Sequence, residues 1–194
     1  MSLKSQNLIF TTVTDRSGKL PNLTEASSCR NNEICTIYLT GGKVEAMKKI
    51  AIGCDPNAVA LKEAIKKHLT DLGYEWEDYG SDDPVYANVA IRVAESVAAG
   101  KHERGILMCG TGIGMCLAAN KVPEAYAALC SDPYSTERSV KSNNANIMTL
   151  GAQVMGVELA KTLVTIWMKS EYTPGGRSES KIRRIYEYAK EHQK

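Results

Sequence analysis

Cys109 is the residue whose neighbours best equip it for chemistry. It closes an apolar run, Ile106, Leu107 and Met108, and precedes Gly110-Thr-Gly-Ile-Gly114, with glycine at alternate positions before a helix opens near Met115. A strand, a tight turn and a helix start would set the thiol at the carboxyl end of a central strand, where open α/β sheets bind ligands. A thiol facing the positive end of a helix is a source of thiolate, the reactive form. Gly110, Gly112 and Gly114 would let backbone N–H groups approach a substrate oxygen, and Thr111 adds a hydroxyl. One base beside several donors is equipment for moving a proton on carbon and holding the oxyanion that results.

Other readings of this turn fit less well. No Gly-Lys-Ser/Thr follows, so it is not a nucleotide-binding phosphate loop, and Gly-x-Gly-x-Gly on an internal strand is a poor dinucleotide fingerprint. A net charge of +2 over 194 residues gives no argument for nucleic acid. Six cysteines and three histidines form no C-x-x-C pair and no Cys/His cluster, which points to reduced thiols in a cytoplasmic protein and to no metal site. No apolar run reaches membrane-spanning length.

The elements that must position Cys109 are legible from Met47 onward. Strands are expected at Lys48–Gly53, Tyr74–Tyr79, Gly105–Cys109, Ala125–Cys130 and Ala145–Leu150. Helices are expected at Asn57–Leu72, from the Asp83-Pro84 start to Ala99, after Gly114, from Asp132-Pro133 to Ser142, over Val157–Lys169 and over Lys181–Glu191. The alternation predicts an α/β, Rossmann-like, doubly wound domain: a five-stranded parallel sheet with helices on both faces. Its last helix has little domain left to cover and reads as a subunit contact. Residues 1–46, rich in Ser, Thr, Asn and Gly, read as a disordered or added leader, with a small hairpin as the alternative; residues 47–194 form the domain.

From Met47 the chain resembles the family of type B ribose-5-phosphate isomerases and galactose-6-phosphate isomerase subunits. The matching pieces are Ile50-Ala-Ile-Gly-Cys-Asp55, Leu61-Lys-Glu-Ala-Ile-Lys-Lys-His-Leu69, Gly105-Ile-Leu-Met-Cys-Gly-Thr-Gly-Ile-Gly114, Ala118-Ala-Asn-Lys-Val-Pro123, Ala128-Leu-Cys-Ser-Asp-Pro-Tyr-Ser135, Asn143-Asn-Ala-Asn146 and Gly175-Gly-Arg177. The resemblance implies a sugar-phosphate aldose–ketose isomerase working through an enediolate with no metal or organic cofactor. It also implies a homodimer or tetramer with sites at the subunit interface. Cys109 matches the general base, Thr111 and the Gly110, Gly112, Ile113 and Gly114 turn match the enediolate cradle, Asp55 and Asn143 match hydroxyl-holding residues, and Arg177 matches a phosphate ligand.

The departures narrow the substrate. Pro56 and Ser142 stand where the ribose and galactose enzymes carry histidines, and Gln153 and Lys181 stand where phosphate-holding arginines are expected. A serine alone is a poor acid for opening a sugar ring. A tetrose phosphorylated on O4 has no ring to open. Tyr86-Ala-Asn88, Ser142-Asn-Asn-Ala-Asn146 and Gly176-Arg-Ser178 resemble the branch that interconverts D-erythrulose 4-phosphate and D-erythrose 4-phosphate, which adds Tyr86, Asn88 and Lys181 to the substrate-binding candidates. Ribose 5-phosphate isomerisation, a mixed oligomer whose partner supplies histidine, and a non-catalytic sugar-phosphate binder are the competing expectations. Arg138, Arg183 and Arg184 are further phosphate candidates. His68, His102 and His192 are expected at the surface, and Cys54 and Cys130 in packing roles.

Overall fold

The structure, a computed structural model, describes residues 37–40, 43–46 and 49–192. Ahead of the domain, β1 (Ile37–Thr40) and β2 (Lys43–Ala46) pair antiparallel; the rest of the leader lies outside the described residues.

Five parallel strands follow: β3 (Ile50–Cys54), β4 (Trp76–Asp78), β5 (Arg104–Cys109), β6 (Ala127–Leu129) and β7 (Ile147–Gly151). They lie in the order β4-β3-β5-β7-β6. The three central strands are near-continuous apolar runs because helices cover both their faces. Ile50, Ile52, Ile106, Met108, Met148 and Leu150 point to one face, under α1 (Val59–Asp71), α4 (Pro133–Lys141) and α5 (Val157–Lys169). Ala51, Leu107, Cys109 and Ile147 point to the other, under α2 (Tyr86–Ala98) and α3 (Ile113–Ala119). Burial of each large side chain contributes roughly 1.5–3 kcal/mol, so the sheet is the stable platform of the molecule.

The chain runs from β3 to β4 on one side and then returns to place β5 on the other side of β3, so the topological switch point lies between the carboxyl ends of β3 and β5. Asp55 and Cys109 end up there. The last helix, α6 (Glu179–His192), buries only Ile182 fully and leaves Ile185 and Tyr188 exposed; the Tyr186 ring packs against that of Tyr126, tilted by 46° with centroids 4.7 Å apart.

Two local expectations are corrected. Asp83-Pro84 does not open α2: Asp83 accepts the Val85 N–H at 2.8 Å and the Asn88 side-chain amide at 3.0 Å, forming a turn ahead of a helix that starts at Tyr86. His102 is not a surface residue. It is 2% exposed, held between Ser96 of α2 and Glu77 of β4, with Nε2 3.3 Å from the carboxylate.

Candidate active site

The carboxyl edge of the sheet gathers most of the expected residues. Cys109 is 4% exposed, and its sulfur accepts the Gly112 N–H at 3.1 Å. That donor faces the charge a thiolate would carry. The Thr111 side chain is exposed, and its Oγ1 accepts the Ile113 N–H at 3.4 Å. Among the described residues, no hydrogen bond takes the amides of Gly110, Thr111 or Gly114, so the turn keeps donors in hand for an oxyanion.

Two of the three glycines have a packing reason as well. Gly112 sits at φ +78°, and a Cβ there would come within 2.7 Å of Leu129 Cδ1 and 2.9 Å of the Leu150 carbonyl carbon. At Gly114 a Cβ would meet the Tyr86 ring at 2.5 Å, so the bare Cα is what lets this tyrosine lie on the start of α3. Asn88 follows in the first turn of α2, its amide tied to Asp83.

Asp55 joins the same edge from β3. Its backbone N–H reaches the Met108 carbonyl at 3.1 Å, and its carboxylate caps the short 3-10 turn Pro56–Ala58 by accepting the Asn57 N–H at 2.9 Å. One carboxylate oxygen also accepts the Asn57 side-chain amide at 3.2 Å. At the neighbouring Cys54 burial pushes the thiol up to about 11, although the Lys62 ammonium pulls the other way.

The remaining candidates lie at the opposite end of the sheet. Asn143 belongs to the loop before β7, and in a parallel sheet a residue ahead of a strand lies at the amino edge, about 16 Å from the residue that follows a five-residue strand. Arg177 and Lys181 accompany α6, whose Tyr186 hydroxyl accepts the amide of Asn144 at 3.0 Å. Clefts of about 490 and 440 Å³ also open at that edge, the first beside Arg104, Asn144 and Tyr172 and the second beside Tyr126 and Tyr188; neither is lined by Cys109. A single chain therefore does not bring Asn143, Arg177 and Lys181 to the thiol.

The further phosphate candidates are engaged on their own helices: Arg138 with Glu137, Arg183 with Glu179 and Arg184 with Glu191. No described histidine lies at the Cys109 edge. His102 occupies the turn before β5, His68 bonds Thr165 at 2.8 Å between α1 and α5, and His192 ends α6. Gln153, which stands where a phosphate-holding arginine is expected, does lie at this edge: its backbone N–H donates to the Gly110 carbonyl at 2.9 Å. Among the described residues, no group of three or more His, Cys, Asp or Glu could hold a metal ion, and no helix is long and apolar enough to cross a membrane.

Residues 50–185 match the model of the Ribose/Galactose Isomerase family. The D-erythrulose-4-phosphate isomerase of Pectobacterium atrosepticum is 46% identical over 153 residues, covering 76% of this chain and 100% of that protein. Ribose-5-phosphate isomerase B of Escherichia coli is 42% identical over 142 residues, covering 72% of this chain and 95% of that one. The structure of Clostridium thermocellum ribose-5-phosphate isomerase B superposes with a TM-score of 0.71 at 40% identity, over 75% of this chain and 99% of that chain. The chain belongs to the ribose/galactose isomerase family of sugar-phosphate aldose–ketose isomerases.

Proposed function

We propose that the chain interconverts D-erythrulose 4-phosphate and D-erythrose 4-phosphate, at a site that two copies complete together. The observation that carries this reading is a thiol with donors beside it and no histidine at its end of the sheet. Such a site can move a proton between adjacent carbons but lacks the usual acid for opening a sugar ring. Phosphorylation on O4 leaves a tetrose with no hydroxyl able to close a five-membered ring, so its carbonyl arrives free. The 46% identity to the Pectobacterium atrosepticum enzyme supports the same substrate.

Cys109 as thiolate takes a proton from C1 of the ketose. The charge that develops on the C2 oxygen falls to the amides of Gly110, Thr111 and Gly114 and to the Thr111 hydroxyl. Return of the proton to C2, with the hydroxyl proton passing from O1 to O2, gives the aldose. Asp55, Tyr86 and Asn88 flank the sugar from the same copy. Asn143, Arg177 and Lys181 of a second copy complete the site, the guanidinium and ammonium meeting the phosphate. An exposed apolar rim of Val85, Ile113, Leu117, Leu129, Tyr134 and Val154 at the Cys109 edge is the kind of surface a second subunit covers. The unpaired thiols of Cys54, Cys109, Cys116 and Cys130 fit a reducing, cytoplasmic setting.

The test is turnover of tetrose, pentose and hexose phosphates by the purified protein in deuterated water, followed by NMR. Faster deuterium incorporation at C1 of erythrulose 4-phosphate and C2 of erythrose 4-phosphate than at the same carbons of ribulose 5-phosphate and ribose 5-phosphate is expected. Equal or faster turnover of the pentose overturns the tetrose assignment, and activity that needs a second gene product turns it into a mixed oligomer.

A further inference from the structure

α6 is held to the domain by few side chains. Ile182 is its one fully buried residue among those described, and Tyr186 follows four positions later, so the two share the face that meets the domain. Half-buried, Tyr186 touches two loops at once. Its hydroxyl accepts the side-chain amide of Asn144 at 3.0 Å, and its ring packs against that of Tyr126 with centroids 4.7 Å apart. Those two loops are themselves joined, because Tyr126 N–H donates to Asn146 Oδ1 at 2.8 Å and Asn146 Nδ2 donates to the Glu124 carbonyl at 2.9 Å.

The backbone aims the Asn144 amide at this tyrosine. Asn144 is left-handed, at φ +53°, and its N–H donates to the Val140 carbonyl at 2.8 Å to close α4. Glycine would serve that cap equally well, but only a side chain reaches α6. Asn143 is the exposed residue just ahead of it. Arg177 and Lys181 are fixed to the other partner of the bond: the Gly175 N–H meets the Glu179 carboxylate, Glu179 N–H donates to the Gly176 carbonyl at 3.0 Å, and Lys181 N–H donates to the Ser178 carbonyl at 3.1 Å. The Asn144–Tyr186 bond therefore joins the loop that carries Asn143 to the helix that carries the two cations.

We propose that Tyr186 is a positioning residue: through Asn144 and Tyr126 it locks Asn143, Arg177 and Lys181 into one block, shaped before the thiol edge of a second copy meets it. This rests on the reading of the site as one that two copies complete. A block already in place needs less ordering when the sugar phosphate binds. Its groups hold the bound sugar phosphate in ground state and transition state alike, so loosening the lock acts mainly on KM.

The experiment is steady-state kinetics on whichever sugar phosphate the wild type turns over best. Tyr186→Phe removes the hydroxyl and keeps the ring on Tyr126; it is expected to raise KM about three- to tenfold, the worth of one neutral hydrogen bond, with kcat within about twofold. Asn144→Gly, which keeps the left-handed cap, should do the same, and the double variant should be no worse than either. Placement in mixed dimers separates positioning from general support of the fold. When Cys109→Ala and Arg177→Ala chains are refolded together, the one whole site takes its thiol from the Arg177→Ala chain and its Asn143, Arg177 and Lys181 from the Cys109→Ala chain. Tyr186→Phe added to the Cys109→Ala chain should raise the KM of that site, and added to the Arg177→Ala chain it should not. Equal effects from both placements, or a KM within twofold of the control in both, overturn the role of Tyr186 alone. No activity in the control mixture, with mixed dimers demonstrated by mass, overturns the two-copy reading beneath it.

Discussion

The two ends of this sheet are built differently although the same strands make both. At the carboxyl end the chain leaves β3, β5 and β7 through tight turns around a buried sulfur; the turn after β5 has amides without partners among the described residues, and a rim of exposed apolar side chains lies nearby. At the amino end the connections carry charge and already use it. Arg104 donates to the carbonyls of Trp167 and Ser170 at 2.5 and 2.7 Å and covers the Trp167 ring, while Glu77, Tyr79, Ser96, Lys101 and His102 form one hydrogen-bonded group. Unsatisfied donors mark the end that awaits a ligand; satisfied ones mark the end that holds the domain together. The exception at the amino end is the exposed set of Asn143, Arg177 and Lys181, which the proposed two-copy site assigns to the thiol of a second copy.

The largest effect available is to separate these contributions. Cys109→Ala should abolish solvent exchange at C1 and C2, and Arg177→Ala should cripple phosphate binding. Chains of the two variants, mixed, unfolded and refolded together, should recover about a quarter of the wild-type rate, because half of randomly paired dimers are mixed and each of those contains one whole site. No recovery, with mixed dimers demonstrated by mass, would mean that each chain carries its own complete site or none.

A smaller contrast uses one glycine from each end. Gly112 and Gly100 both adopt left-handed conformations, at φ +78° and +71°. A Cβ on Gly100 meets nothing within 4 Å, whereas one on Gly112 runs into Leu129 and the backbone of Leu150. Gly100→Ala should therefore cost only the conformational strain, about 1–2 kcal/mol. Gly112→Ala should cost more than that, because the clash adds to the strain, and should displace the N–H that serves the Cys109 sulfur. Urea denaturation of both variants, with activity measured alongside, checks the pair; equal losses would show that the Cys109 turn yields without harm.

What the sequence revealed follows the range over which its signals act. The β5 strand, its turn and α5 at Val157–Lys169 were readable because apolar spacing and bounding glycines are local. The start of α2 was misread because Asp83 caps a turn rather than the helix, a choice decided by the Val85 N–H and the Asn88 amide. His102 sits in a Lys-His-Glu-Arg stretch that reads as solvated, yet its partners arrive from β4 and α2. Gln153 reaches Gly110 only because β7 lies beside β5, a neighbour relation that skips β6. The separation of Asn143, Arg177 and Lys181 from Cys109 could not be read from motif order. It follows from whether a residue precedes or follows its strand, which requires the strands to be known as parallel.

The smallest expected effect tests the amino end alone. Burial lowers the His102 pKa from its ordinary value, Glu77 opposes that shift, and Lys101 and Lys49 reinforce it. Tyr79 faces the ring edge-on at 5.7 Å, and Ser96 bonds its Nδ1. Because the folded protein binds this proton less readily than the unfolded chain, the contribution to stability is complete above the unfolded pKa of about 6.5 and is lost as pH falls through the lower folded value. Thermal midpoints should thus decline between pH 7 and pH 5, and His102→Gln, which cannot titrate, should flatten that decline. Alkylation of Cys109 by iodoacetamide, at the other end of the sheet, should keep the same pH profile in wild type and His102→Gln. If that profile moved with His102, the two ends would be coupled and the division of labour between them would fail.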